Sequence, residues 1–217
     1  MVASIALAAL LASNAASPST ARAALQDSPA DPMASVKSVI DQTFVVFKDK
    51  QIAAADREQK LRAIAETRFD FQEMARSAVG YHWRDFTPAQ KSEFVPLFTA
   101  FIEDAYLSRI EQYSVEKVNQ QIQSSLIQFN KETTDGPDYA EVFSTVVLKD
   151  RNNPIQVNYL MRRDGIEWKI YDISLDAISV IANYRNQFNR VLNNDGYDKL
   201  VGIMREKQQA LGASLAK

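Results

Sequence analysis

The chain has 217 residues, a formal charge of −2, one histidine and no cysteine. That length suits one domain of about 100–200 residues with a core of its own. The missing cysteines exclude disulfides and thiol chemistry, the lone His82 excludes a multi-histidine metal site, and the slight acidity argues against a phosphate-binding face for nucleic acid.

Residues 1–23 read as a secretory signal peptide. The apolar run over 5–11 is shorter than the roughly 20 residues a bilayer span needs. Ala21-Arg22-Ala23 follows as an A-x-A cleavage pattern, although Met1-Val2-Ala3-Ser4 lacks the usual basic residue. Residues 24–32, with Pro, Asp and Ser, read as a linker. Residues 33–209 form the expected single domain, and 210–217 a flexible tail.

Val36, Val39, Ile40, Phe44 and Phe47 recur at helical spacing and predict a helix over 33–50. Leu61, Ile64 and Ala65 predict a second over 55–68. A third is expected over 70–79, ended by Gly80 in a left-handed cap. Thr87-Pro88-Ala89-Gln90 has the order of a capping box, with Thr at the N-cap and Gln three residues on. Phe94, Leu97, Phe98, Phe101, Ile102, Ala105, Tyr106 and Ile110 then form a wide apolar stripe. Pro96 lies inside it and predicts a bend.

After Tyr113 the period changes to two. Strands are expected over 115–129 (with Val118, Ile122 and Leu126), 139–148, 155–162 and 166–171. Turn signals separate them at 134–137, 151–154 and Asp164-Gly165. Ile178, Ile181, Ala182, Phe188, Val191 and Leu192 return the pattern to helix, Asn193-Asn194-Asp195-Gly196 breaks it, and 197–209 forms a last helix. The expected fold is α+β, a curved four-stranded antiparallel sheet with helices on one face.

Chemistry-bearing motifs are scarce. There is no G-x-S-x-G elbow, P-loop, dinucleotide fingerprint or H-E-x-x-H. Asp70 and Glu73 read as first-turn charges favoured by the helix dipole, and the adjacent Glu103 and Asp104 as solvated. His82 sits in a connector and reads as a surface or capping group. Arg76, Arg84 and Arg185 read as surface ion-pair partners. No catalytic residue, metal site or cofactor is expected. Composition favours reading the broad apolar stripes as an ordinary packed core, although a ligand cavity would use the same residues.

Particular residues carry a resemblance. They are Phe69-Asp70-Phe71, Met74-Ala75-Arg76, Val79-Gly80, Trp83, Thr87, Gln90, Phe94, Phe98, Tyr106 and Tyr113-Ser114. Later come Val157-Asn158-Tyr159, Trp168-Lys169-Ile170-Tyr171-Asp172, Ile178-Ser179, Asn183-Tyr184-Arg185 and Gln187-Phe188. This ordered set, over about 36–204, resembles the MlaC family of periplasmic phospholipid carriers, also described as toluene-tolerance auxiliary proteins. Asn158 stands where that family usually has an acidic residue, and Pro96 is a second departure.

The resemblance implies an NTF2-like arrangement with an apolar cavity for phospholipid tails. It implies a periplasmic monomer that shuttles lipid between an inner-membrane ABC transporter complex and an outer-membrane lipoprotein–porin complex, maintaining outer-membrane lipid asymmetry. The expected lining is Phe98, Ile102 and Tyr106 from the long helix and Val146, Leu148, Val157, Tyr159 and Ile170 from the strands. Ile181, Tyr184 and Phe188 complete it from the late helix. Trp83 and Trp168 are expected to be structural. A carrier of hopanoid or another polycyclic lipid, an enzyme on an NTF2-like cone, and an interaction module with a solid core stay open beside it.

Overall fold

In the computed structural model, residues 31–111, 125–148 and 153–215 are described. Helix α1, Pro32–Lys48, starts on Asp31, whose carboxylate accepts the Met33 N–H at 2.9 Å, with Pro32 in the first turn. That start lies at the end of the expected linker. Helices α2, Ala54–Arg68, and α3, Phe71–Val79, follow, then a 3₁₀ turn over Gly80–Arg84. Helix α4, Pro88–Glu111, opens on the expected capping box. The Thr87 N–H donates to Gln90 Oε1 at 2.9 Å, and the Gln90 N–H donates to Thr87 Oγ1 at 3.2 Å. The helix continues through Pro96.

Among the described residues the sheet has five strands in the order β1-β2-β3-β4-β5, all antiparallel, and not four. They are β1, Ser125–Asp135, β2, Tyr139–Leu148, β3, Ile155–Asp164, β4, Glu167–Leu175, and β5, Ile178–Ser179. Val118, Ile122, Tyr113, Ser114 and the Arg151-Asn152 half of a turn lie outside the described residues. The first strand runs six residues beyond its expected end, and Leu126 is exposed while Ile127 is buried. A one-residue shift exchanges the two faces of a strand, so spacing alone does not say which face is buried.

The fifth strand escaped notice because its turn lacks glycine. Asp176 and Ala177 link β4 to β5 with φ of 47° and 66°. Positive φ at both central residues is what a type I′ hairpin requires. Two bonds to Gln156 hold the turn: the Asp176 N–H donates to the Gln156 carbonyl, and the Gln156 N–H donates to Asp176 Oδ1, each at 2.9 Å. The β3–β4 hairpin uses Gly165 and Ile166 as its central pair, with positive φ at Gly165. Ile166 is therefore an exposed turn residue, not a member of the inward row.

Helix α5 spans Val180–Leu215 with a break at Gly196, where φ is 81° and ψ −173°. Ile178 belongs to β5 and is exposed, so the helical stripe starts at Ile181. The helix also runs through most of the stretch expected as a loose tail. Residues 205–211 (Arg-Glu-Lys-Gln-Gln-Ala-Leu) are all strong helix formers, which carries the helix on.

Candidate functional site

Among the described residues, two apolar clusters make up the interior. In the first, Val36, Ile40, Phe44 and Phe47 of α1 cover one face of the sheet. Alternation along β2 and β3 turns Val142, Val146 and Leu148, and Ile155, Val157, Tyr159 and Met161, toward that helix. Trp168 and Ile170 join them from β4. The second cluster is helical. Met74 and Val79 of α3 meet Phe94, Phe98, Phe101 and Ile102 of α4, and Ile181, Phe188, Leu200 and Met204 of α5. Its centre is aromatic, with Phe94, Phe98, Phe101 and Tyr184 all within 6.4 Å of the Phe188 ring centroid. Edge-on and tilted ring contacts of this kind add to simple area burial.

The expected lining residues divide between these clusters. Val146, Leu148, Val157, Tyr159 and Ile170 lie together in the sheet cluster. Phe98, Ile102, Ile181 and Phe188 lie in the helical cluster, with the half-buried Tyr106 and Tyr184 packed against it. Phe69 touches both. It pairs with Ile170 as an isolated parallel bridge, and the Asp70 N–H donates to the Ile170 carbonyl at 2.8 Å. Asp70 then caps α3 through the Glu73 N–H at 2.9 Å and accepts from Arg162 Nε of β3 at 2.7 Å. The Phe69-Asp70 pair thus ties the helical cluster to the sheet. The contribution of α1 to the strand face was visible only as helical periodicity. Ser144, inward on β2 and fully buried, was missed, although its place between Val142 and Val146 in the alternation marks it.

Gly80 and Arg185 fit one another. Gly80 has φ of 58° but a ψ of −127°, so it ends α3 with positive φ outside the left-handed helical well. A side chain there would meet Arg185 Cδ at 3.3 Å. Arg185 crosses from α5 and its Nε donates to the Ser77 carbonyl at 2.6 Å, a helix-joining role in place of the expected surface ion pair. Arg76 does pair with Glu73, at 3.3 Å. Arg84 is exposed. Trp83 lies beneath the Lys91 ammonium and Trp168 beneath the Arg163 guanidinium.

The buried polar groups are mostly occupied with structure. Burial raises the Asp172 carboxyl above its ordinary value, opposed by the Ser179 hydroxyl and the Ile181 and Ile173 N–H groups. Both its oxygens are engaged there, at the entry to α5. Glu103 and Asp104 are not both solvated. Each accepts from Arg62 of α2 at 2.8 Å, and Glu103 is buried. The alternate faces expected for neighbouring helical residues are bridged by the forked guanidinium. The His82 and Tyr81 rings are tilted against one another with centroids 4.0 Å apart, and His82 Nε2 is buried with no partner among the described residues. Among the described residues no group of three or more His, Asp or Glu is placed to hold a metal, and no helix is long and apolar enough to cross a membrane.

The MlaC protein family model matches residues 37–206. The intermembrane phospholipid transport system binding protein MlaC of Haemophilus influenzae is 25% identical over 130 residues. The match takes in 59% of this chain, which spans 57% of that relative's length. A structure of a phospholipid-binding protein from Ralstonia solanacearum, in complex with a phospholipid, superposes with a TM-score of 0.66 at 22% identity. It covers 84% of this chain and 99% of that one, a likeness of fold. With a family match extending from α1 into α5, the chain belongs to the MlaC family.

Proposed function

We propose that the protein is a soluble periplasmic phospholipid carrier. It takes lipid from one membrane complex and delivers it to another, between an inner-membrane ABC transporter complex and an outer-membrane lipoprotein–porin complex, and so maintains outer-membrane lipid asymmetry. The family match over residues 37–206 carries the reading. The lipid-bearing fold neighbour supports it. The helix-on-sheet layout is read as NTF2-like, with the tails held between two apolar walls. The strand wall is Val146, Leu148, Val157, Tyr159 and Ile170. The helical wall is Phe98, Ile102, Tyr106, Ile181, Tyr184 and Phe188. Phe69, which packs against both clusters, is read as the place where the walls would meet.

Energy demands enclosure. A two-tailed lipid carries roughly 30 methylenes, each worth about 0.8 kcal/mol when buried, so bare tails in water would cost on the order of 25 kcal/mol. Passive release is then too slow to serve transport. Delivery needs a receiving partner and an opening of helices from sheet. The function needs no cofactor.

Native mass spectrometry of gently purified protein, followed by lipid extraction, tests this. The expected result is a lipid-bearing mass and a glycerophospholipid in the extract. A clean empty mass, with no uptake from liposomes, would sink the proposal. A triterpenoid in the extract would redirect it to a hopanoid carrier.

A further inference from the structure

One side chain spans the seam between the two apolar clusters. Helix α2 is rich in charged residues, and its apolar Leu61 and Ile64 pack in the sheet cluster. Helix α4 gives Phe94, Phe98, Phe101 and Ile102 to the helical cluster. Arg62 of α2 reaches across. Its Nη1 donates to Glu103 and its Nη2 to Asp104, each at 2.8 Å and both on α4. Glu58, on the same helix as Arg62, accepts from Nη2 at 2.6 Å.

Other ties between sheet and helices differ in kind. The Asp70 N–H donates to the Ile170 carbonyl, and the Ile181 N–H donates to Asp172 at the entry to α5. Both involve main-chain groups. The Arg62 fork consists of side-chain atoms alone, so it can part without unfolding either helix. Two features ease the parting. One guanidinium serves three carboxylates, so Glu58 faces Glu103 and Asp104 as a like charge once Arg62 withdraws. Glu103 is buried, and its Oε1 has no hydrogen-bond partner among the described residues. That unmatched oxygen carries a desolvation cost, which water relieves when the helices separate.

On the carrier reading above, on which this rests, we infer that the Arg62 fork is a latch. It holds α2, packed with the sheet, against α4 of the helical cluster while lipid is aboard. Its release opens the seam, with Phe69-Asp70 and the entry to α5 as the hinge.

Hydrogen exchange and lipid release test this together. In emptied wild type, the amides of α2 should exchange through an opening of their own, about tenfold or more faster than those of α3. Arg62→Met should speed α2 further and leave α3 unchanged. For release, protein loaded from phosphatidylglycerol vesicles is mixed with phosphatidylcholine acceptor vesicles. Arg62→Met should release lipid roughly three- to tenfold faster than wild type, between the effects of an exposed ion pair and a buried charged bond. Arg62→Lys keeps the charge but loses the fork, and should fall between the two. Arg205→Met removes the 2.7 Å pair with Glu93 inside the helical half and should release at the wild-type rate. Exchange of α2 in step with α3 overturns the latch, and that wild-type measurement depends on no variant folding. Equal acceleration by Arg205→Met also overturns it, since the effect would then be a general loss of stability. Loaded protein that releases at one rate whatever stands at position 62 sinks the latch alone. Wild type that takes up no lipid sinks the carrier reading, and the latch with it.

Discussion

Asp70 does two jobs that are usually given to separate residues. Its carboxylate closes the first turn of α3 and receives Arg162 from β3. Asp70→Ala removes a cap and a charge-assisted bond together, so urea denaturation should register a loss of about 2–4 kcal/mol. Arg162→Met keeps the cap and should cost less than Asp70→Ala. A larger cost for Arg162→Met would mean that leaving the buried Asp70 carboxylate unpaired outweighs the loss of the cap. Glu103 offers a pH test. Burial holds its carboxyl above the usual glutamate range against the opposing pull of Arg62. A carboxyl whose value is raised by folding stabilises most when protonated, and that contribution is lost as pH rises through the folded value. Between about pH 4.3 and neutrality, wild type should therefore lose stability relative to Glu103→Gln. Parallel pH profiles of the two proteins would contradict this.

At the level of elements, two of the three glycines of α5, Gly196 and Gly202, have opposite roles. Gly196 breaks the helix with φ of 81°, in a region that side chains rarely enter. Gly202 lies in regular helix, with open space where a Cβ would go. Gly196→Ala should cost about 1–3 kcal/mol in backbone strain, while Gly202→Ala should stabilise by roughly 0.5–1 kcal/mol. Thermal melts of the two variants should shift in opposite directions. The sign matters more than the size, because both sites are sterically open and differ only in backbone conformation. The break at Gly196 was readable from Asn193-Asn194-Asp195-Gly196. The Asp176-Ala177 turn was not, because neither residue is a glycine and its support comes from Gln156, 20 residues away.

At the scale of the whole molecule, the described residues form two apolar clusters that share Phe69, one built on a sheet and one on helices. Under the proposed function, bound lipid should supply part of the protein's stability. Lipid that binds only the folded chain, free at 100 times its dissociation constant, contributes about 2.7 kcal/mol. For a domain of this size that raises the melting temperature by roughly 5–10 °C. Calorimetry on loaded and emptied protein should show the difference, and coincident transitions would mean that the bound lipid makes no net contribution to the fold.

Much of this protein is local in origin. The capping box at Thr87-Gln90, the helical stripes, the hairpin at Gly165 and the alternation along β2 and β3 arise from residues within a turn or a pleat of one another, and the sequence by itself determined them. The tertiary structure decided what distance in sequence conceals. It put Leu126 outward, brought Glu103 and Asp104 to Arg62, and turned Arg185 onto Ser77. It also divided the eleven apolar candidates between two clusters, because periodicity specifies which face of an element is apolar but not which other element will cover it.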